Sequence, residues 1–392
     1  MCKKTLQSGA KLLSVVVLSL LIFFTVTSCS NSDSSNQSGT FSQAQQEQMK
    51  SVVDTAVAEG NIPGIVVAVW QGDKEWIYSY GKSDINTGAE MNPSLNFRIG
   101  SITKSFTATI ILQLVDEGKI GLDDPVSNYV SDIPNGENIT IRELLNMSSG
   151  LFGYSETDGF IKSYTEDPLQ ERTPQELVAL GVNDPQNPVF EPGKGFNYSN
   201  TNYVILGEII ENITGNKVED EIRNRIAKPL KLNHTYLPET PYMPAYSCSG
   251  YYYDPKTAAP LLDLTNQSPS LTWTAGGVIS NLSETKTYIR AIGDGTLISS
   301  EMQAERLTFN PYTIVKDRYG YGLGVSWVNG YIGHNGSIPG YNSSAYYSPD
   351  SDTTVIIFAN EWKIPNLNLG TDTIFVRLGK ILSPNLDWNG LE

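Results

Sequence analysis

Cysteine and histidine are scarce in this sequence, and both shortages limit the disulfide and metal-binding chemistry that it can support. Of 392 residues, three are cysteines and two are histidines. Cys2 and Cys29 lie in the N-terminal segment, which leaves Cys248 without a disulfide partner in the rest of the chain. His, Cys and Asp residues at metal-ligand spacings are also lacking, so we expect neither a metal nor any other cofactor.

Positive charge is the next shortage. The chain has 27 Lys and Arg residues against 42 Asp and Glu residues, a formal net charge of −15. Because phosphate backbones are bound by clustered basic side chains, this balance argues against a nucleic-acid partner. It bears on partners and solubility rather than on the fold.

The N-terminus is typical of an export signal. A basic segment (residues 3–11) precedes a mostly apolar run at 12–26, which is shorter than the roughly 20 residues of a spanning helix. The run ends in V-T-S-C (26–29), which resembles the bacterial lipobox. This predicts a lipoprotein signal peptide at 1–28, lipidation of Cys29, and a cell-envelope protein anchored to the membrane by lipid alone. A plain secretory signal is the alternative.

The rest of the chain is predicted to be a tether followed by one domain. Residues 29–42 are rich in Ser, Asn and Gln, a composition that favours a flexible tether. The domain at 43–388 begins with a predicted helix over Gln43–Glu59 and returns late to strand patterns such as Gly322–Val328. Strand patterns at both ends around a helix-rich middle, roughly 120–270, predict an α/β layer with an inserted helical subdomain.

A serine and a lysine three residues apart open another predicted helix, Ser101–Glu117. Spacing i, i+3 puts the Ser101 hydroxyl and the Lys104 amine on one helix face. The free N–H groups at a helix N-terminus favour negative charge there. The S-x-x-K pattern also occurs at 8–11 and 283–286, so it is weak evidence by itself.

Two further elements, Tyr198-Ser199-Asn200 and His334-Asn335-Gly336, follow at intervals of roughly a hundred residues. In this order the three elements resemble the serine β-lactamase and penicillin-binding family, closest to its class C β-lactamase and D-alanyl-D-alanine carboxypeptidase branch. The resemblance extends over about residues 45–385. It implies an α+β fold with an antiparallel sheet flanked by helices and an all-helical insertion.

The residues themselves suggest how the serine is activated. A serine nucleophile needs a base, and no G-x-S-x-G elbow surrounds Ser101, so we expect a base system of Lys104 and Tyr198. Tyr198 would need its pKa lowered by about three units, or about 4 kcal/mol. One positive charge at about 4 Å supplies about that much at an effective dielectric near 20. Which of the two groups takes the proton first is open.

The resemblance assigns further roles. It implies that Asn200 orients Lys104 and the amide of the substrate's acyl group. It also implies an oxyanion hole made of the backbone N–H groups of Ser101 and Ser337.

The third element supplies the remaining substrate contacts. The resemblance places Asn335 and Gly336 beside the substrate, and a residue without a side chain at Gly336 would let substrate lie against the strand edge. His334 stands where β-lactamases have lysine and would polarise Tyr198 or the region of the substrate carboxylate. A packed core histidine is the alternative.

Substrate specificity departs from the carboxypeptidase pattern. No arginine follows the Tyr-Gly-Leu-Gly segment, where Val325-Ser326-Trp327 stands instead, and Asn335 and Ser337 replace threonines. We expect a monomeric acyl-enzyme hydrolase, D-alanyl-D-alanine carboxypeptidase-like, acting on small D-peptides. An esterase, a weak β-lactamase, another D-peptide hydrolase, or a penicillin-binding receptor without turnover are the alternatives, so the substrate is a small peptide, an ester or a β-lactam.

Overall fold

A computed structural model describes residues 39–253, 260–313, 315, 318–363 and 370–391. The signal peptide expected at 1–28 and the lipidation expected at Cys29 lie outside these residues. Within the described ranges, no helix combines the length and the apolar character that a bilayer span requires.

Most strands lie toward the two ends of the described chain, and most helices lie between them. The strands are β1 (Gly39–Thr40), β2 (Gly64–Gln71), β3 (Lys74–Asp84), β4 (Ala89–Glu90), β5 (Asn96–Arg98), β6 (Tyr251–Tyr253), β7 (Pro260–Asp263), β8 (Ile279–Asn281), β9 (Tyr319–Tyr321), β10 (Ser326–Val328), β11 (Tyr331–Ile338), β12 (Tyr341–Ser348), β13 (Thr353–Ala359) and β14 (Glu361–Lys363). The helices are α1 (Gln43–Gly60), α2 (Thr103–Asp116), α3 (Ile141–Leu145), α4 (Asp158–Glu166), α5 (Pro174–Val182), α6 (Asn200–Thr214), α7 (Val218–Ile222), α8 (Lys228–Leu230), α9 (Trp273–Gly276), α10 (Leu282–Gly293), α11 (Ser300–Arg306) and α12 (Thr371–Leu382).

One large sheet organises the described residues. Its strand order is β1-β3-β2-β13-β12-β11-β10-β9, with β4 added on β3. Neighbouring strands from β3 through β9 are antiparallel, as the resemblance implies, and β1 joins β3 in parallel. This mixed architecture of sheet and helices confirms the predicted fold class.

Both faces of the sheet are covered, which explains why its central strands are apolar almost throughout. In β2, Val66 and Ala68 belong to one core and Val67 and Val69 to the other, and all four are buried. Since successive side chains of a strand point to opposite faces, a strand buried on both sides needs apolar residues at every position. Helices α1 and α12 pack on one face, and α2 and α10 pack on the other.

The predicted tether is shorter than expected at its C-terminal end. Gly39 and Thr40 pair with Lys74 and Glu75 of β3 and so extend the sheet. Phe41 is 2% exposed and belongs to the core beneath α1. The burial of this aromatic ring fixes the chain ahead of α1, so residues 39–42 belong to the domain.

Two other expectations need correction. The helix-rich insertion also contains strands, because β6 and β7 form a three-stranded sheet with β14 from the far end of the chain. The strand expected over Gly322–Val328 is interrupted between β9 and β10. Gly324 has φ +75° in that interruption, and the Gly322 N–H donates to the Val325 carbonyl, which forms a turn.

Candidate active site

Ser101 lies in a tight turn between β5 and α2. The turn is a 3₁₀ segment over Gly100–Ile102, so the α-helix begins at Thr103, two residues later than predicted. Gly100 has φ +55°, and a Cβ there would lie 3.0 Å from the Ser337 nitrogen. Glycine is therefore required before the serine for two reasons, its left-handed backbone and the close approach of β11.

Lys104 lies beside Ser101 and is fully buried. Its Nζ donates to Ser101 Oγ at 3.0 Å and to the Ala275 carbonyl at 2.7 Å. Burial lowers the pKa of Lys104 well below its usual value, because a charged amine loses its hydration there. The predicted i, i+3 pairing is thus present, and it holds an amine whose neutral form is favoured.

Tyr198 lies just before α6, with its ring near the lysine. Lys104 Nζ is 4.8 Å from the ring centroid, and the Ser101 hydroxyl is close enough to the Tyr198 hydroxyl to act on its pKa. Burial raises the pKa of Tyr198, and the nearby Ser101 hydroxyl opposes this only in part. The lowering of the pKa that Tyr198 would need to act as the base is therefore not found in this structure, because burial also suppresses the lysine charge that would cause it.

Asn200 reaches the same site but contacts a different partner from the one expected. Its Nδ2 donates to Ser155 Oγ at 2.6 Å, and its Oδ1 is buried without a hydrogen-bond partner among the described residues. The two hydrogen bonds of Lys104 go to Ser101 and Ala275 instead. Asn200 thus presents a free acceptor at the site rather than a contact to the lysine.

His334 is 1% exposed on β11, with both ring nitrogens engaged. Nδ1 is 2.5 Å from the Asn335 carbonyl oxygen, and Nε2 is 3.0 Å from the Tyr321 hydroxyl. Burial lowers the pKa of His334 to about 3. The imidazole is therefore neutral. Its ring centroid is 6.2 Å from that of Tyr198, while its hydrogen bond is to Tyr321.

The side chains of Asn335 and Ser337, which follow His334 on β11, have different surroundings. Asn335 Nδ2 donates to Asp372 Oδ2 of α12 at 2.5 Å, on the face of the sheet opposite His334. The expected substrate contact of the Asn335 side chain is thus replaced by a contact to a helix, because adjacent strand residues point to opposite faces. Ser337, in contrast, is exposed at the cavity.

Gly336 is needed for a reason other than the one expected. A Cβ at this position would lie 2.1 Å from the Ile99 carbonyl oxygen and 2.5 Å from Ser343 Oγ. The glycine therefore lets the chain leading to Ser101 cross β11 closely, and this crossing holds the serine turn against the strand.

A cavity of about 190 Å³ opens at Ser101. Among the described residues that line it, none has a charged side chain. Four are aromatic, and three of these four are almost fully buried. The lining residues are Ser101, Tyr154, Ser155, Phe160, Tyr164, Asn200, Thr272, Ala275, Gly276, Ser337, Ile338, Pro339 and Trp362.

Sequence reasoning missed the aromatic part of this lining. Tyr154, Phe160 and Tyr164 come from a segment without a recognisable motif, and Trp362 comes from β14. One indirect signal was present, because all four aromatic residues fall within the range 45–385 over which the sequence resembles the family. Nothing in the local sequence indicated that α4 and β14 meet at Ser101.

The fold and the site define a member of the serine acyl-enzyme hydrolase superfamily. More particularly, the chain belongs to the Beta-lactamase family, whose model matches residues 49–375. It is 29% identical over 321 residues to the putative penicillin-binding protein PbpX of Bacillus subtilis (strain 168), covering 80% of this chain and 76% of that protein. The family expected from the three motifs is thereby confirmed.

Solved structures extend the likeness. A D-stereospecific amidohydrolase from Streptomyces sp. is 32% identical, with a TM-score of 0.75 over 84% of this chain and 97% of that one. The D-amino acid amidase from Ochrobactrum anthropi SV3 shares the fold, with a TM-score of 0.76 at 24% identity over 87% of this chain and 99% of that one.

Proposed function

We propose that this protein hydrolyses amide bonds of small D-amino acid or D-peptide substrates whose acyl group is bulky, apolar and uncharged. The acyl group is carried transiently on Ser101. The observation that carries the proposal is the cavity at Ser101, with its aromatic lining and its lack of charged side chains among the described residues. The D configuration is supported by the likeness to the Streptomyces amidohydrolase.

The base in the acylation step is Lys104. In the structure Lys104 Nζ donates to Ser101 Oγ at 3.0 Å and to the Ala275 carbonyl. As a neutral amine it can keep the hydrogen bond to Ala275 and turn its lone pair toward the Ser101 hydroxyl. Ser101 Oγ attacks the substrate carbonyl carbon while its proton moves to Lys104. The new ammonium is stabilised by the Ala275 oxygen and the nearby faces of Tyr198 and Tyr203.

Tyr198 acts as the acid that completes acylation. Because burial raises its pKa, the phenol stays protonated, and its hydroxyl lies at Ser101 where the leaving amine departs. Tyr198 donates its proton to the leaving nitrogen as the C–N bond breaks, and the proton held on Lys104 restores the phenol. The products of this step are a free amine and a Ser101 ester.

Deacylation uses the same groups in reverse. Water replaces the amine, gives up a proton to the base and attacks the ester carbonyl, which releases the acid and restores the Ser101 hydroxyl. In both steps the negative oxygen is held by the N–H groups of Ser101 and Ser337. The closeness of the Gly100 turn to the Ser337 nitrogen supports this assignment.

A D-alanyl-D-alanine carboxypeptidase specificity has less support. Such a substrate carries a free carboxylate next to the scissile bond, and a carboxylate in a partly buried site needs a cationic partner. The described lining of the cavity provides none. An amide without this carboxylate removes the requirement, so D-amino acid amides and blocked D-peptides fit better.

The experiment measures covalent labelling and turnover together. Wild-type protein is incubated with a fluorescent penicillin and, separately, with D-phenylalanine amide, L-phenylalanine amide, a D-Ala-D-Ala peptide, a p-nitrophenyl ester and a chromogenic cephalosporin. We expect labelling, and fastest turnover of the D-phenylalanine amide. S101A should lose both, whereas S283A, at the serine of another S-x-x-K sequence, should keep both.

Other outcomes would change the assignment. Labelling without turnover of any substrate indicates a receptor, and preference for the ester or the cephalosporin indicates the corresponding hydrolase. Label retained on S101A contradicts the mechanism altogether. Y198F should keep the cavity but lose at least about a hundredfold in kcat with amides.

A further inference from the structure

Tyr321 is a buried residue of the site and the first residue of the Tyr-Gly-Leu-Gly segment, to which the sequence assigned no role. It ends β9, is 1% exposed, and its hydroxyl lies 3.0 Å from His334 Nε2. The ring is also in edge contact with His334, with centroids 5.7 Å apart and planes at 85°. Tyr321 thus contacts the histidine through both its hydroxyl and its ring.

The hydrogen bonds around His334 determine its tautomer. A backbone carbonyl can only accept, so the nitrogen 2.5 Å from the Asn335 oxygen, Nδ1, carries the ring proton. Nε2 then has a lone pair and accepts from the Tyr321 hydroxyl. The Tyr321 hydroxyl, as the donor to Nε2, therefore favours the tautomer with its proton on Nδ1 and disfavours the tautomer with its proton on Nε2.

Tyr321 also packs against Tyr198. The two rings meet edge to face, with centroids 6.1 Å apart and planes at 86°. The centroid of the His334 ring lies 6.2 Å from that of Tyr198, so both Tyr321 and His334 contact the ring of Tyr198. A further contact on the Tyr198 ring comes from Lys104 Nζ at 4.8 Å.

From this arrangement we propose that Tyr321 is a positioning residue: its hydroxyl locks His334 in the Nδ1–H tautomer, and the locked pair holds Tyr198 with its hydroxyl at Ser101. This inference rests on the proposed function for its catalytic consequence. It assigns His334 a mechanical role, because a neutral ring that accepts from Tyr321 brings no positive charge to the substrate.

The first test detects the tautomer by nitrogen NMR and needs no turnover. The chain has two histidines, so two imidazole spin systems are present, and H234Q removes the one from exposed His234. We expect His334 in the Nδ1–H form, with the Nε2 resonance moving downfield in Y321F as the donor is lost. An Nε2–H form, or an Nε2 shift unchanged by Y321F, overturns the inference.

The second test measures the consequence for Tyr198. Loss of one hydrogen bond of about 1 kcal/mol predicts about a fivefold lower kcat for Y321F with little change in KM. Y321L, which also removes the ring contact, should lower kcat further. The matched control is Y331F, another fully buried tyrosine with one hydroxyl contact, to Ser383, which should keep kcat.

A crystal structure of Y321L separates this inference from the proposed function. We expect the Tyr198 hydroxyl to move away from Ser101 relative to its position in the wild-type protein. If wild-type protein proves inactive on every substrate, the proposed function fails while the NMR and crystallographic results still decide the inference. An undisplaced Tyr198 in Y321L, or equal loss of kcat in Y331F, overturns it.

Discussion

Two groups of residues near Ser101, called here the reactive wall and the aromatic wall, are built in opposite ways. The reactive wall consists of the buried ionisable groups Lys104, Tyr198 and His334, which lie behind the residues that line the cavity, and burial shifts each of their pKa values in the direction that favours the neutral form. The other wall consists of aromatic rings, including Phe160 and Trp362, and has no charged side chain among its described residues. The groups of the first wall transfer protons or position the groups that do. The rings of the second wall can only select substrates by shape and polarity.

The comparison shows where burial acts on function. On the reactive wall, burial disfavours charge in the resting state, so that the amine can accept a proton and the phenol can donate one. On the aromatic wall, burial favours substrates that carry apolar groups of their own. The largest effects are therefore expected from changes in the reactive wall, and smaller, substrate-dependent effects from changes in the aromatic wall.

Replacing Lys104 with methionine should have the largest effect. K104M keeps the length and apolar stem of the side chain but removes the base, so kcat/KM for an amide should fall by about 10²- to 10⁴-fold. The measurement is steady-state hydrolysis together with the rate of labelling by a fluorescent penicillin. Labelling at the wild-type rate would exclude Lys104 as the base.

The same substitution changes the pH dependence of stability in a defined direction. The folded-state pKa of Lys104 lies below the unfolded value of about 10.4, so between the two the unfolded state binds more protons. The free energy of unfolding of wild-type protein therefore gains from Lys104 as pH rises through this range. The difference in unfolding free energy, K104M minus wild type, should fall between pH 7 and pH 10, which denaturant titration at each pH measures.

A change in the aromatic wall should have a smaller effect that depends on the substrate. Trp362 is only partly buried and lies 5.2 Å, centroid to centroid, from Tyr252. W362A should lower kcat/KM for D-phenylalanine amide by about twofold to tenfold, because ring contacts contribute about 0.5–1.5 kcal/mol. The rate with D-alanine amide should hardly change.

The control for this prediction is a tryptophan away from the cavity. Trp327 is also partly buried and contacts Phe309 at 5.6 Å between ring centroids. W327L should affect both amides equally. If W362A also lowers the rates with both amides equally, the aromatic wall does not select the acyl side chain.

The difference between the two walls also explains which parts of the site could be predicted from the sequence. Ser101 and Lys104 are three residues apart, so helical geometry alone predicted their contact, whereas the family resemblance implied that Tyr198 and His334 would join them. The aromatic wall joins α4 and β14 through tertiary packing, for which local patterns carry no signal. The orientation of Asn335 toward α12 depends on strand register, which the motif does not reveal either.

For the fold, the periodicity of apolar residues was sufficient to predict an element that is buried in a regular pattern along its length. Helix α1 was predicted nearly to its ends, because its pattern follows from burial along one face. The break at Gly324 and the pairing of β6 with β14 were missed, since a positive φ and a parallel partner more than a hundred residues away are set by the assembled structure.

The smallest effect on activity is expected at Asn335, on the face of β11 opposite His334. Its side chain donates to Asp372 rather than lining the cavity, so N335A should change kcat/KM by less than about twofold while lowering the unfolding free energy by about 1 kcal/mol. N200A removes the unpartnered acceptor at the cavity and should instead reduce kcat/KM about tenfold. Activity assays and denaturant titration of both variants measure this. A large loss of activity in N335A with unchanged stability would mean that Asn335 turns toward the substrate, and that the two faces of β11 are not divided between structure and chemistry.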